Sequence, residues 1–111
     1  MKLPNADKAI IPLQKLRDYV LSTSHPVGKF KAAFFQNLGY TSDNWQQLEA
    51  DIRSIIKSND AAIGEKTEYG LKYEVRGIIT GSNHQFAEIV TAWIILNGEY
   101  NPRFITTYPG D

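Results

Sequence analysis

Up to Ile56 the apolar residues recur at helical spacing, and beyond Gly64 they alternate, so the chain divides into a helical first half and a stranded second half. Leu13, Leu16 and Val20 follow one another at i, i+3 and i+7 behind Pro12. A proline is well tolerated at a helix start, where its missing N–H costs nothing. This predicts a short first helix ending near Ser22. The stretch "STSHP" breaks it, because a residue before proline is pushed out of the helical region. A second helix is expected from about Pro26 to Leu38, with Val27, Phe30, Phe34 and Leu38 on one face and Gly39 as a left-handed stop. A third opens at Thr41 or Ser42 and carries Trp45, Leu48, Ile52, Ile55 and Ile56 on one stripe. "KSND" ends it.

In "LKYEVRGIIT" Tyr73 and Val75 alternate with Lys72, Glu74 and Arg76, the period of a half-buried strand. "FAEIVTAWIIL" lacks that alternation and reads as a central strand, apolar on both faces. "RFITTY" is a further strand. The short turns "GSNHQ" and "NGEYNP" imply antiparallel pairing. The expectation is a single α+β domain over 1–111. About three N-terminal helices (about 1–58) pack on one face of a C-terminal antiparallel β-meander of three to four strands (about 62–109). Trp45 and Trp93 are expected in the core.

Composition narrows the chemistry. The apolar share, 42%, is enough for a core without staples. No cysteine is present, which excludes disulfide scaffolds, zinc–thiolate sites and thiol nucleophiles and fits a reducing compartment. Twelve basic and twelve acidic residues cancel, so a general electrostatic sponge for nucleic acid is not expected, although a local basic patch remains open. "MKLPNADKAIIP" has no apolar run of signal-peptide length, and no stretch approaches the roughly 20 apolar residues of a membrane span. A soluble, cytoplasmic protein with no membrane contact is expected, unless the chain is one module of a longer secreted protein.

Candidate chemistry gathers at "HPVGKFKAAFF". Lys29 falls on the polar side of the second helix, but Lys31 projects inside its apolar arc. A lysine there must snorkel, pair with a carboxylate or line a cleft. It also sits in the first turns, where the helix dipole disfavours a cation unless an anion docks at that end. His25 adds a proton-transfer group, and Gly28 lets a ligand approach the backbone. Two readings of this cluster compete: an anion site with an acid–base group, or a capping histidine beside a snorkelling lysine.

In the last hairpin, closure around "NGEYNP" would set Trp93 opposite Thr106 and Ile95 opposite Phe104. Thr91 and Tyr108 would then be neighbours on that face, with Arg103, Ile105 and Thr107 on the other. A one-residue slip exchanges the faces. Thr and Tyr hydroxyls beside an arginine suit a phosphate diester, though the same residues are also good strand formers. His84, in the "GSNHQ" turn, is either a second acid–base group or a solvated turn residue. No metal-ligand spacing, Walker loop, G-x-G-x-x-G or G-x-S-x-G occurs, so neither a metal nor another cofactor is expected.

The blocks "LPNADKAIIPLQKLRDYVL", "HPVGKFKAAFFQNLGY" and "TAWIILNGEYNPRFITTYP" resemble an uncharacterised bacterial domain family. That family occurs as small stand-alone proteins and as a C-terminal module of phage-related and toxin-like chains. The order of elements is more loosely similar to the barnase–EndoU–colicin–RelE group of metal-independent ribonuclease toxins. That resemblance implies cleavage of RNA by attack of the 2′-OH on the adjacent phosphate. His25 would act as general base or acid, Lys31 and Arg103 would stabilise the phosphate, and Thr106 or Tyr108 would orient it. Gly28, Lys29 and Thr91 would complete the phosphate site. RNA, and a cognate small protein of antitoxin or immunity type, are the implied partners. A non-catalytic partner-binding module and a plain structural domain are the opposing readings.

Overall fold

The computed structural model describes residues 1–24 and 29–110, with the side chains of Lys29 and Phe30 outside the description. Among the described residues three helices precede a four-stranded antiparallel sheet, an α+β fold with the helices N-terminal to the strands.

Helix α1 (Leu13–Lys15) opens behind Pro12, which is extended at φ −62°, ψ 132° and so caps the helix from outside. It runs directly into a π-helical turn over Leu16–Val20. The Leu21 N–H donates to Leu16 O at 2.9 Å, and the widened turn lets Leu16, Val20 and Leu21 all enter the core. Helix α2 (Lys29–Asn37) buries Ala32 and Phe35, with Leu38 just beyond its end. The buried line is therefore shifted from the expected one: Phe35 is fully enclosed, and Phe34 only partly. Val27 lies outside the described residues. Gly39 ends this segment at φ +95°, the left-handed conformation that glycine adopts without strain.

Helix α3 (Trp45–Ser58) follows a short 3-10 turn in which Asn44 Oδ1 accepts the Thr41 N–H at 2.7 Å. Leu48, Ile52, Ile55 and Ile56 are buried as the stripe predicts, whereas Trp45 is half-buried. At the other end the Asn59 side-chain amide donates to Ile55 O at 3.0 Å.

The strands β1 (Ala61–Lys66), β2 (Gly70–Thr80), β3 (Phe86–Leu96) and β4 (Arg103–Pro109) lie in sequence order. Strand β1 is an edge strand with only Ala61 buried, which is why it carries little pattern. Tyr73, Val75 and Ile79 of β2, Ile89 and Trp93 of β3, and Phe104 of β4 join the helix stripes in one core. Helix α3 packs closely over β2 at Gly77, where an added Cβ would stand 2.8 Å from Ile55 Cγ2. Ile89, Val90 and Thr91 are buried consecutively, so both faces of β3 are covered at that point, whereas Phe86 and Glu88, on the face opposite the core, are exposed.

The last hairpin departs from the expected register. Ile105 forms a bulge, so Trp93 pairs with Phe104, Ala92 with Thr106, Thr91 with Thr107 and Val90 with Tyr108. An extra residue on one strand shifts the partners beyond it. Thr91 therefore neighbours Thr107, and Thr106 and Tyr108 belong to the alternate positions.

The outer edge of β4 is covered in part by the chain ahead of α1. Ile10 makes a parallel bridge with Arg103: its N–H donates to Pro102 O and its carbonyl accepts from Phe104 N–H, each at 2.9 Å. Lys15 Nζ donates to Ile105 O at 3.3 Å one step further along. Residues 8–15 thus run alongside β4, which blunts an otherwise open sheet edge.

Candidate functional site

Lys31 stands near the start of α2 beside the buried Ala32, half-buried as its place in the apolar arc predicts. Its ammonium donates to Thr106 Oγ1 at 2.8 Å. The same nitrogen lies 5.1 Å from the centroid of the Tyr19 ring, within cation–π range. The Ile105 bulge sets Thr106 at the position that Lys31 reaches. Gln14, Lys15, Tyr19, Lys31, Ile105 and Thr106 line a groove of about 390 Å³. Among the described residues neither Lys15 nor Lys31 is paired with a carboxylate. Two ammonium groups, a hydroxyl and an aromatic ring around one groove suit an anion that carries a planar group.

The remaining candidates are spread out. Arg103 lies in a neighbouring groove and makes a two-pronged pair with Glu99, Nε to Oε1 at 2.9 Å and Nη2 to Oε2 at 3.2 Å. The hydrogen bond from that guanidinium, more than its charge alone, holds the Glu99 carboxyl below its ordinary range. The Tyr108 hydroxyl donates to Glu74 Oε2 at 2.9 Å, and burial followed by that bond pushes its phenol above the usual value.

Thr91 is fully buried. Its hydroxyl donates to Val75 O at 3.0 Å and accepts from Trp93 Nε1 at 2.9 Å, so its bonding is spent inside the sheet. Thr107 Oγ1 is likewise buried and donates to Val90 O at 2.9 Å. His84 sits exposed in the β2–β3 turn at φ 68°; the neighbouring Asn83 ties that turn to the end of α2 by donating to Asn37 O at 2.7 Å. His25 and Gly28 lie outside the described residues. Lys29 is the first residue of α2, its side chain outside the description.

The structure thus brings Lys31 and Thr106 together and leaves Arg103, Tyr108 and Thr91 elsewhere. It adds Lys15 and Tyr19, which the sequence reading did not single out. They are four residues apart, the spacing of same-face neighbours on a helix, and they border the Leu16–Val20 stripe. That spacing was the available signal. Among the described residues no three metal-binding side chains stand together, and no helix is long and apolar enough to cross a membrane.

Helices followed by an antiparallel β-meander, with a cationic groove at the junction of α1, α2 and β4, define the class of fold. The chain belongs to the family described as a domain of unknown function, DUF6883, whose model matches residues 2–111. The same fold occurs in a solved structure described as a contact-dependent growth inhibition toxin–immunity protein complex from Klebsiella pneumoniae 342. The match has a TM-score of 0.66 at 19% identity and covers 90% of this chain and 98% of that one. No curated protein matches the sequence.

Proposed function

We propose that this protein is a metal-independent ribonuclease of toxin type, with the Lys31–Thr106 groove as its phosphate site. The observation that carries the reading is the 2.8 Å contact between a core-edge lysine and a strand threonine 75 residues away. An ammonium with no carboxylate partner among the described residues, half-buried at the edge of the core, is costly to place for stability alone. It becomes useful where a phosphodiester gains negative charge.

In the reaction the RNA 2′-oxygen forms a bond to the adjacent phosphorus, and the bond to the 5′-oxygen breaks, leaving a 2′,3′-cyclic phosphate. The Lys31 ammonium, with Lys15 beside it, meets the charge on the non-bridging oxygens. The Thr106 hydroxyl orients the phosphate; the 2′-OH gives up its proton and the departing 5′-oxygen gains one, His25 carrying one of these transfers and solvent water the other. The solved neighbour from a toxin–immunity complex supports a toxin setting, and it makes a cognate small protein the expected partner.

The dispersal of Arg103, Tyr108 and Thr91 favours a second reading: a protein-binding module of immunity type, in which the Lys15–Lys31 groove receives an acidic side chain of a partner.

Induced expression of wild type beside Lys31→Met and His25→Ala, with RNA integrity followed in the cells, separates the two. Purified protein is then incubated with RNA in EDTA. Cleavage by wild type alone, leaving 2′,3′-cyclic ends, supports the nuclease. Intact RNA in cells and in vitro would sink it in favour of the binding module.

A further inference from the structure

The groove that holds Arg103 shares two cations and an aromatic ring with the groove that holds Lys31 and adds the Glu99 carboxylate. It is larger, about 690 Å³, and is lined by Asn5, Lys8, Ile10, Glu99, Tyr100, Asn101 and Arg103. Each groove presents two cations and one aromatic ring: Lys8 and Arg103 with Tyr100 in one, Lys15 and Lys31 with Tyr19 in the other. Their walls are shared. One side of both is the N-terminal segment, through Lys8 and Ile10 and then Gln14 and Lys15. The other is β4 with the turn before it, through Arg103 and then Ile105 and Thr106. The Ile10–Arg103 bridge and the Lys15–Ile105 bond hold these walls in parallel, so the grooves follow one another along a single edge.

With Ile105 bulged out, Arg103 and Thr106 pair with Ile94 and Ala92, two positions apart in β3, about 7 Å at strand rise. That is of the order of the distance between successive phosphates in an extended strand. Tyr100 is 80% exposed, and the backbone under it is pinned where Asn5 Nδ2 donates to Tyr100 O at 2.8 Å. An exposed ring on a fixed backbone beside two cations is a stacking platform rather than a core residue. The Glu99 partner of Arg103 lowers the net charge of this groove, which suits a flanking phosphate held less tightly than the reacting one.

We infer that the two grooves are consecutive subsites for one unpaired RNA strand laid along the β4 edge. The inference rests on the ribonuclease reading and extends it to the substrate. The Lys31–Thr106 groove holds the scissile phosphate, and the Lys8–Tyr100–Arg103 groove holds a neighbouring nucleotide, its base stacked on Tyr100. The substrate class is therefore single-stranded RNA of more than one linkage. A paired base has no free face for Tyr100, so duplex is disfavoured.

The test is binding of a 2′-deoxy-substituted single-stranded octanucleotide, which cannot be cleaved by this route, measured by fluorescence anisotropy beside cleavage of the matching RNA. Tyr100→Ala should weaken octanucleotide binding by about tenfold, the scale of one lost stacking contact. Lys8→Ala should weaken it too and flatten its salt dependence. Tyr69→Ala, which removes a ring 67% exposed in the β1–β2 turn, is the control and should change neither. Equal binding by wild type, Tyr100→Ala and Lys8→Ala overturns the inference, and RNA cleavage in the same preparation would show that the nuclease reading survives it. Tyr100-dependent binding without any cleavage would retain the strand path and remove the nuclease. Neither binding nor cleavage by the wild type would remove both.

Discussion

Thr91 and Thr106 are two hydroxyls on adjacent strands, and they do opposite things. Thr91 sits at the centre of the sheet, its oxygen between the Val75 carbonyl and the Trp93 indole N–H. Thr106 sits on the edge strand and meets Lys31 in an open groove. Residue type does not distinguish them. What differs is whether the hydrogen-bonding capacity is already spent where water is excluded. A buried hydroxyl must be satisfied internally and then stabilises the fold. One at an edge keeps capacity for a ligand.

The interior side of this contrast should give the largest effects. Trp93→Ala removes a fully buried ring in edge-to-face contact with Phe104, centroids 5.4 Å apart, and should cost about 3–5 kcal/mol in urea denaturation. A loss below about 0.5 kcal/mol would break the comparison by placing Trp93 at the surface.

Thr91→Val keeps the shape but leaves the Trp93 N–H and the Val75 carbonyl without their partner. About 1–3 kcal/mol of destabilisation is expected by the same measurement. Thr106→Val should cost less than Thr91→Val, and equal losses would erase the distinction between the two threonines.

Lys31→Met preserves the length of the stem and removes the charge. Stability should stay within about 1 kcal/mol or rise, while cleavage of RNA is lost, the signature of a residue kept for a task. A large loss of stability with activity retained would instead make Lys31 structural.

The smallest effect is a pH dependence. Tyr40 is buried, its hydroxyl donating to Asp51 Oδ2 at 2.5 Å with the Thr80 carbonyl 3.2 Å away, and burial first, then the carboxylate, raises its phenol well above the ordinary value. The folded state therefore holds the proton more tightly than the unfolded chain. The stabilisation is full below about pH 10, the unperturbed phenol range, and is lost as pH rises through the folded value. The melting-temperature gap between wild type and Tyr40→Phe should shrink above pH 10. A gap that widens there would contradict the buried, protonated phenol.

Much of the fold was legible in local pattern. The stripe Leu48, Ile52, Ile55 and Ile56 read correctly because helical spacing repeats over several turns and each repeat reinforces the last. The unbroken apolar run of β3 read correctly as a central strand, paired with β2 on one side and β4 on the other. Strand β1 was barely visible because an edge strand with one buried residue imposes little pattern on its sequence. In α2 the buried line falls on Ala32 and Phe35 because α1 and the sheet meet that helix from a direction its own apolar residues, which include two adjacent phenylalanines, do not specify.

The candidate site was half legible. Lys31 stood out because a cation in an apolar arc contradicts its own helix, and that conflict is local. Its partner was not local: which hydroxyl it reaches depends on the Ile105 bulge, and one extra residue exchanges the positions of every side chain beyond it. Arg103 was read on the right strand, but the groove it lines was not legible, because the N-terminal segment that forms the groove walls joins β4 across some 90 positions of chain.

By itself, then, the sequence determined the order of helices and strands, the antiparallel meander and the anomaly of Lys31, since each follows from side chains within a few positions of one another. The tertiary structure decided which threonine is buried, which meets the lysine, and that two cationic grooves share the β4 edge. Those facts are set by long-range pairing and a single bulge, where small local differences in free energy move side chains from one face to the other.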